Sequence, residues 1–280
     1  MSTRALFHAL FDDAAVFPPG LAPLPCAVTD HVARQSSSCA DLVGPLLLPA
    51  SAITEFLHLE RTQGVDVALI GRSGTDLNAA GEARSRLADD PRVTLTGVEI
   101  GWSPDWHQAL GWGASLSIEV PRGAEQELAL SDIQKHGDHS DDTHPVQAKL
   151  RTGSTPHYSV PTPAELATFI RACLDHDLGF KLTGGLHHAI SHTTSEGEDQ
   201  FGFLNVLAAT HSALTHGAEV STMSTLLSQR DPVPIVEIMT GLGEADASVV
   251  RAFFTAYGCC AVMDPIGELA ALGLIKETTV

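Results

Sequence analysis

The sequence predicts an α/β fold, a (β/α)8 barrel of parallel strands, and three observations lead to it. Short β-branched or apolar runs alternate with helical stretches along the whole chain, which is typical of parallel α/β proteins. Most strand candidates are continuous apolar runs, as expected when helices cover both faces of a sheet. The length of 280 residues suits such a barrel. A doubly wound open sheet is the alternative. No G-x-G-x-x-G motif follows an early strand, however, which disfavours an open sheet that binds a dinucleotide.

Eight strands are expected. The first is predicted within Asp13–Val28, where several prolines obscure its edges. Pro234–Met239 competes with the others for a place in the sheet. The remaining seven candidates are Leu42–Pro49, Val65–Ile70, Val93–Ile100, Ser115–Val120, Val146–Arg151, Leu178–Thr183 and Tyr257–Met263.

The segments between the strands contain sequence patterns that are typical of helices. Thr162-Pro163-Ala164-Glu165 forms a capping box followed by apolar residues at helical spacing. Gly184–Ala256 is longer than one strand–helix unit and contains an apolar helix within Gln200–Gly217, so we expect an extended helical insertion between the last two strands. No linker interrupts the chain, and residues 1–280 are predicted to form a single domain.

Composition narrows the classes of function. The chain has 34 acidic and 16 basic residues, a net charge of −18 at pH 7, which disfavours nucleic acid and anionic membranes as partners. No apolar run approaches the ~20 residues that cross a bilayer, and the first ten residues do not resemble a signal peptide. Five cysteines without a C-x-x-C pair fit a reducing compartment. These features predict a cytoplasmic protein.

Lysine is scarce, and two of the four lysines occupy matching positions. Lys149 and Lys181 each lie inside a predicted strand with a Thr-Gly turn just after it, one strand–helix unit apart. Neighbouring barrel strands would carry both side chains towards the carboxyl-terminal mouth, where barrel enzymes act. Burial and a nearby second cation favour a neutral amine, which attacks carbonyl carbons. A lone strand lysine is more often a snorkelling edge residue, but the matched pair favours a catalytic role.

Three motifs in the carboxyl-terminal half carry a resemblance: K-L-R-T-G at 149–153, F-K-L-T-G-G at 180–185 and Y-G-C-C-A at 257–261. In order and spacing they resemble strands six to eight of the deoxyribose-phosphate aldolase family of class I aldolases. The resemblance implies that Lys149 forms the Schiff base and that Lys181 keeps it deprotonated. It also implies that Glu99 transfers a proton, and that Asp12 or Asp13 is the acidic residue near the first strand. No cofactor is implied.

The resemblance also implies a substrate site, with one departure. The family binds a substrate phosphate with glycines and serines after strands seven and eight, but Cys259-Cys260-Ala261 replaces the serine-rich turn here. Phosphate recognition is therefore open, and a different carbonyl substrate is compatible with the sequence. The G-L-H-H and G-F-L-N motifs also resemble poorly characterised bacterial barrel proteins. The expected substrate-binding residues are Arg151, Thr152, Gly153, Gly184, Gly185, His187 and Gly258.

The sequence is compatible with two roles for Arg151. Strand alternation places it on the same face as Lys149, which favours a role in holding an anionic substrate group. A salt bridge to Glu99 or Glu119 is the competing structural role.

The histidines after the seventh strand support an acid–base role and one alternative function. His188 is a candidate acid or base because its ordinary pKa lies near neutrality. His188 and His192, at i and i+4, would share one face of a helix and with His187 would suit a metal-dependent hydrolase or lyase. Loop histidines that bind substrate or backbone are the preferred interpretation, and no metal is expected. The polar segment at 135–144 is more typical of a solvated loop than of a cation site.

The sequence as a whole favours a Schiff-base-forming aldolase or lyase. Its partner is expected to be a small aldehyde, ketone or sugar-phosphate-like carbonyl substrate, with assembly into a homo-oligomer left open. The metal-dependent enzyme and a non-catalytic ligand-binding barrel are the alternatives, because this fold hosts many unrelated functions.

Overall fold

The computed structural model describes residues 3–71, 76–137, 143–156 and 158–276. Eight parallel strands form a closed barrel in the order β1-β10-β7-β6-β5-β4-β3-β2, and β8 and β9 form a separate antiparallel pair. The strands are β1 (Phe11–Asp13), β2 (Val43–Pro49), β3 (Val65–Ile70), β4 (Val93–Gly101), β5 (Ser115–Glu119), β6 (Val146–Arg151), β7 (Phe180–Thr183), β8 (His192–Thr193), β9 (Asp199–Gln200) and β10 (Phe254–Cys259).

Helices follow the barrel strands around the outside. Short 3-10 helices occupy Thr3–Phe7, Ala50–Ala52 and Trp106–Trp112, the last of them after β4. The α-helices are α1 (Leu24–Arg34), α2 (Ile53–His58), α3 (Leu77–Ala88), α4 (Gln126–Gly137), α5 (Pro163–Asp175), α6 (Phe203–His216), α7 (Val220–Leu227), α8 (Pro232–Gly241), α9 (Glu244–Phe253) and α10 (Met263–Ala271). Within the described ranges, no helix combines the length and apolarity needed to cross a membrane.

The predicted barrel class is confirmed, and strands β2 to β7 lie within two residues of their predicted bounds. The first and last strands were misplaced. β1 is Phe11–Asp13 and not within Asp13–Val28, because the later prolines lead into α1, where proline occupies the first turn. β10 begins three residues before Tyr257 and ends at Cys259. The competing segment Pro234–Met239 lies in α8.

The outer faces of the strands form the main hydrophobic core with the helices. Aromatic rings connect neighbouring strands there: Phe180 of β7 stacks on Phe254 of β10 at 5.4 Å between centroids. Leu46 and Leu48 belong to this core. Leu47, between them, belongs to a separate cluster and therefore faces the barrel interior, since side chains alternate along a strand.

The expected helical insertion after β7 consists of the β8–β9 pair and helices α6 to α9. A fully buried amide fixes it: Asn205 on α6 accepts a hydrogen bond from the Ser191 backbone at 2.9 Å. Its amide nitrogen donates to the carbonyls of Leu226 and Gln229 at 2.8 and 2.7 Å. Because a buried amide is costly when unsatisfied, these bonds hold the insertion in one arrangement. α6 ends at Gly217, which has the left-handed conformation of a helix C-cap.

Candidate active site

The two strand lysines lie side by side inside the barrel, as their spacing predicts. Lys149 of β6 is in register with Lys181 of β7, and the two residues are only 3% and 4% exposed. Their neighbours Leu150 and Leu182 pack in the outer core, so alternation directs both lysines inwards. The barrel therefore buries two amines among its strands.

Glu99 of β4 joins the two lysines. Its Oε1 accepts a hydrogen bond from Lys181 Nζ. Lys149 Nζ lies 2.8 Å from its Oε2, an ion pair by distance without hydrogen-bond alignment. Glu99 is itself 2% exposed, so one buried carboxylate pairs with two ammonium groups, one through each oxygen.

Two further carboxylates extend this arrangement into a row of alternating charge. Lys181 Nζ also donates to Asp12 of β1, and Lys149 Nζ lies 2.9 Å from Glu119 Oε2 of β5. The order is Asp12, Lys181, Glu99, Lys149 and Glu119, and we call these five side chains the charged row. Asp12, not Asp13, is the acidic residue of the first strand that reaches the lysines. Asp13 turns away to His31 and Arg34 of α1.

The charged row fixes the protonation of its members. Burial raises the pKa of Glu99, but Lys149 and Lys181 outweigh it and lower that pKa to about 2. Burial lowers the pKa of each lysine, but the neighbouring carboxylates outweigh it, so both pKa values are raised above the ordinary one. At Asp12 burial dominates, and its pKa is raised despite Lys181. Lys149 is thus an ammonium in the structure, because its nearest charged neighbours are carboxylates and not the second lysine.

One end of the charged row leads towards solvent. The side chain of Glu119 is 17% exposed and that of Arg151 is 43% exposed, with Arg151 Nε 3.6 Å from Glu119 Oε1. The salt bridge that was the competing role for Arg151 is therefore present, with Glu119 as its partner, and the substrate-binding role of Arg151 stays a prediction. The contact between Glu119 and Lys149 was missed, although Glu119 is the register partner of Lys149 on β5. Strand register was the signal that could have revealed it.

Thr152 and Gly153 follow β6, and Gly184 and Gly185 follow β7. These four residues pack tightly where the two strands end, and we call them the lip. Thr152 is buried, and its hydroxyl donates to the Gly184 carbonyl at 2.5 Å. A Cβ on Gly153 would lie 3.1 Å from the carbonyl carbon of Gly184. Gly184 and Gly185 have φ of +74° and +75°, the region that favours glycine. Thr152 thus braces the main chain of the lip, and the substrate-binding role of all four stays a prediction.

Gly258 of β10 is not part of the lip. It lies against the interior cluster that contains Leu47. A Cβ there would stand 3.2 Å from Leu47 Cδ1. Space next to the β10 strand end therefore depends on this glycine.

His187, His188 and His192 follow β7 and do not lie on one helix. His188 Nδ1 binds Glu268 Oε1 of α10 at 2.6 Å, and its ring meets that of His192 at 4.3 Å between centroids. His192 belongs to β8, so the shared helical face is wrong. His187 Nδ1 lies 3.6 Å from Cys260 Sγ, and burial lowers the His187 pKa. The catalytic role of His188 and the substrate contact of His187 stay predictions.

A metal site would need several His, Cys, Asp or Glu side chains that converge on one point. Outside residues 1–2, 72–75, 138–142, 157 and 277–280, no group of three converges to hold an ion. The acidic centre of the predicted loop at 135–144, Asp138 to Asp142, lies outside the described residues.

Comparison with family models, curated proteins and solved structures finds no match to this chain. The assignment of function therefore depends on the geometry of the charged row.

Proposed function

We propose that this chain is a Schiff-base-forming (class I) aldolase or lyase that acts on a small aldehyde, ketone or sugar-phosphate-like carbonyl compound. The observation that carries the proposal is Glu99, which holds one buried lysine on each of its oxygens inside a parallel barrel. Paired amines and a carboxylate are the groups that imine formation and proton transfer next to an imine require.

Lys149 is the reacting amine in this proposal. Lys181 is enclosed between two buried carboxylates, Asp12 and Glu99. Lys149 shares Glu99 but has Glu119 as its other partner, and Glu119 reaches the solvent-exposed side. A carbonyl compound entering beside Arg151 would therefore meet Lys149 first.

The reaction begins with removal of a proton from Lys149. Glu119 is the nearest partly exposed acceptor, and proton loss frees the Nζ lone pair for attack on the carbonyl carbon. The C–N bond forms as the carbonyl π bond opens, and the carbonyl oxygen takes up one proton from Nζ and the proton held by Glu119 and leaves as water, so that a protonated imine remains. Glu99 then accepts a proton from the carbon next to the imine, which leaves an enamine, while Lys181 keeps that carboxylate in place. Arg151 and the Gly184-Gly185 turn hold an anionic substrate group.

Borohydride trapping tests the proposal. The protein is incubated with acetaldehyde, pyruvate, dihydroxyacetone or a sugar phosphate, reduced, and examined by intact mass and peptide mapping. We expect a stable adduct on Lys149 that disappears in Lys149→Ala. Lys135→Ala is the matched control, because Lys135 is exposed on α4 and its removal should leave the adduct unchanged.

The other outcomes separate the alternatives. An adduct on Lys181 would reassign the reacting amine, and adducts only on exposed lysines would contradict the proposal. No adduct with any carbonyl compound, together with zinc or manganese bound to the purified protein, would favour the metal-dependent hydrolase or lyase. No adduct and no metal would favour a ligand-binding barrel.

A further inference from the structure

An apolar wall lines the part of the barrel interior that β1 to β3 form. It consists of Ala14, Leu47, Ala68 and Ile70, and Phe17 from the loop after β1 packs against it. None of these side chains has a hydrogen-bond donor or acceptor. The reaction steps proposed above use the charged row and leave this wall without a role.

The wall has a small exposed surface that faces the inside of the barrel. On β2 and β3 the outward-facing neighbours have no exposed surface at all: Leu46, Leu48, Val67 and Leu69. The wall residues between them on the same two strands are 3% to 7% exposed. Since the outer face of these strands is completely covered, the exposed surface belongs to the interior. A ligand that enters the barrel can therefore contact it.

The wall adjoins the charged row. Ile70 is the register partner of Glu99, and both side chains face inwards. At the other edge, a Cβ on Gly258 would lie 3.2 Å from Leu47 Cδ1 and 3.6 Å from Thr183 Oγ1. Gly258 thus keeps open the space between the wall and β7, the strand of the second lysine. Because neighbouring strands lie about 4.8 Å apart, a ligand of a few carbon atoms spans both surfaces.

The polar groups at the edges of the wall offer few hydrogen bonds to a hydroxylated ligand. Asp12 and Glu99 are already paired with buried lysines, and Thr183 supplies a single hydroxyl group. Hydroxyl groups placed against the wall would lose their hydrogen bonds to water without replacement, which is costly. An alkyl group is instead stabilised by burial there. The wall therefore favours an alkyl group over a hydroxylated chain.

We propose that the apolar wall determines substrate specificity and binds the alkyl chain of an aliphatic aldehyde or ketone, whose carbonyl group is directed past Glu99 towards Lys149. The inference rests on the proposed function, because the carbonyl group is recognised through Lys149. It narrows the substrate class from small carbonyl compounds in general to those with an alkyl substituent. It concerns the substituent on the side of the wall and leaves the role of Arg151 unchanged.

The first experiment needs no carbonyl compound. 1-Butanol and erythritol have carbon chains of equal length, with a single hydroxyl group in butanol and one on every carbon in erythritol. Each is titrated into protein labelled with ¹³C at the isoleucine δ1 methyl groups, and the Ile70 resonance is identified by its loss in Ile70→Val. We expect a saturable shift of this resonance with 1-butanol and no shift with erythritol.

The second experiment compares butanal with erythrose, a hydroxylated aldehyde of equal chain length, by borohydride trapping. Because the aldehydes differ in intrinsic reactivity, the adduct on Lys149 is divided by the adduct on exposed Lys135 in the same sample. We expect this ratio to be at least about tenfold higher for butanal. Ala68→Ser places a hydroxyl group in the wall and should lower the butanal ratio about threefold. Ala79→Ser, on the exposed surface of α3, is the matched control and should leave it unchanged.

The two experiments separate this inference from the proposed function. The inference is overturned by equal ratios for the two aldehydes, by no shift with 1-butanol, or by an equal shift with erythritol, while an adduct on Lys149 still supports the imine. A butanol shift without any adduct on Lys149 would instead overturn the proposed function, and with it the assignment of a carbonyl substrate. If Ala68→Ser does not fold, the two alcohols still decide, because they are compared on the unaltered protein.

Discussion

The barrel interior has two unlike walls built on the same kind of strand. On one side, β4 to β7 supply the charged row through Glu99, Glu119, Lys149 and Lys181. On the other side, the end of β1 with β2 and β3 supplies an apolar wall of Ala14, Leu47, Ala68 and Ile70, with Phe17 packed against it. The outer faces of both sets belong to one hydrophobic core. Only the inward positions distinguish the two sides.

This difference shows how one fold combines stability with reactivity. The apolar wall keeps water away from the interior, and charge interactions are stronger where water is excluded. A buried charge, however, must keep its partner, since an unpaired one is far more costly than a missing methyl group. The two walls should therefore respond differently to substitution.

The largest effect is expected at the centre of the charged row. Glu99→Gln keeps the shape of the side chain but leaves two buried ammonium groups without their shared carboxylate. We expect a loss of about 3–5 kcal/mol in the free energy of unfolding, measured with urea. Glu119→Gln is the control and should cost less, because Glu119 is partly exposed. Equal losses in the two variants would contradict a central role for Glu99.

The apolar wall should show a somewhat smaller loss of stability. Leu47→Ala removes a side chain that is 3% exposed and leaves a cavity, so we expect a loss of about 2–4 kcal/mol. Leu128→Ala on α4 is the control, because Leu128 is 60% exposed and should change stability by less than about 0.5 kcal/mol. If Leu47→Ala costs more than Glu99→Gln, packing and not charge pairing dominates the interior.

Acid unfolding should distinguish Glu99 from Asp12, because their contributions to stability change with pH in opposite directions. Each proton contributes at most about 1.4 kcal/mol per pH unit. The folded-state pKa of Glu99 is lowered from 4.5 to about 2, so its stabilisation is present above 4.5 and lost as pH falls towards 2. The pKa of Asp12 is raised in the folded state, so its contribution has the opposite sign. Urea unfolding from pH 2 to neutral pH should give a shallower pH dependence below pH 4.5 for Glu99→Gln and a steeper one above pH 3.8 for Asp12→Asn. Identical slopes in these variants and the unaltered chain would refute the assignment.

The sequence was most informative where strands are long and apolar, and least where they are short and polar. β3 and β6 have the bounds that their composition predicts, whereas β1 consists of one phenylalanine and two aspartates and carries no strand signal. The pairing of Lys149 with Lys181 followed from one repeat of strand and helix. The contacts of Glu119 with Lys149 and of Asp12 with Lys181 depend on register and barrel closure, which join residues far apart in the chain.

The three glycines of the lip, Gly153, Gly184 and Gly185, limit how the barrel can change shape where β6 and β7 end. Its surfaces meet main chain to main chain, with Gly153 N and Cα 3.3 and 3.4 Å from a Cβ placed on Gly184. Where a side chain guards an entrance, a rotamer change can widen it within nanoseconds. Between Gly153 and Gly184 both surfaces are main chain, so the spacing of these two strand ends can change only if the backbone itself rearranges.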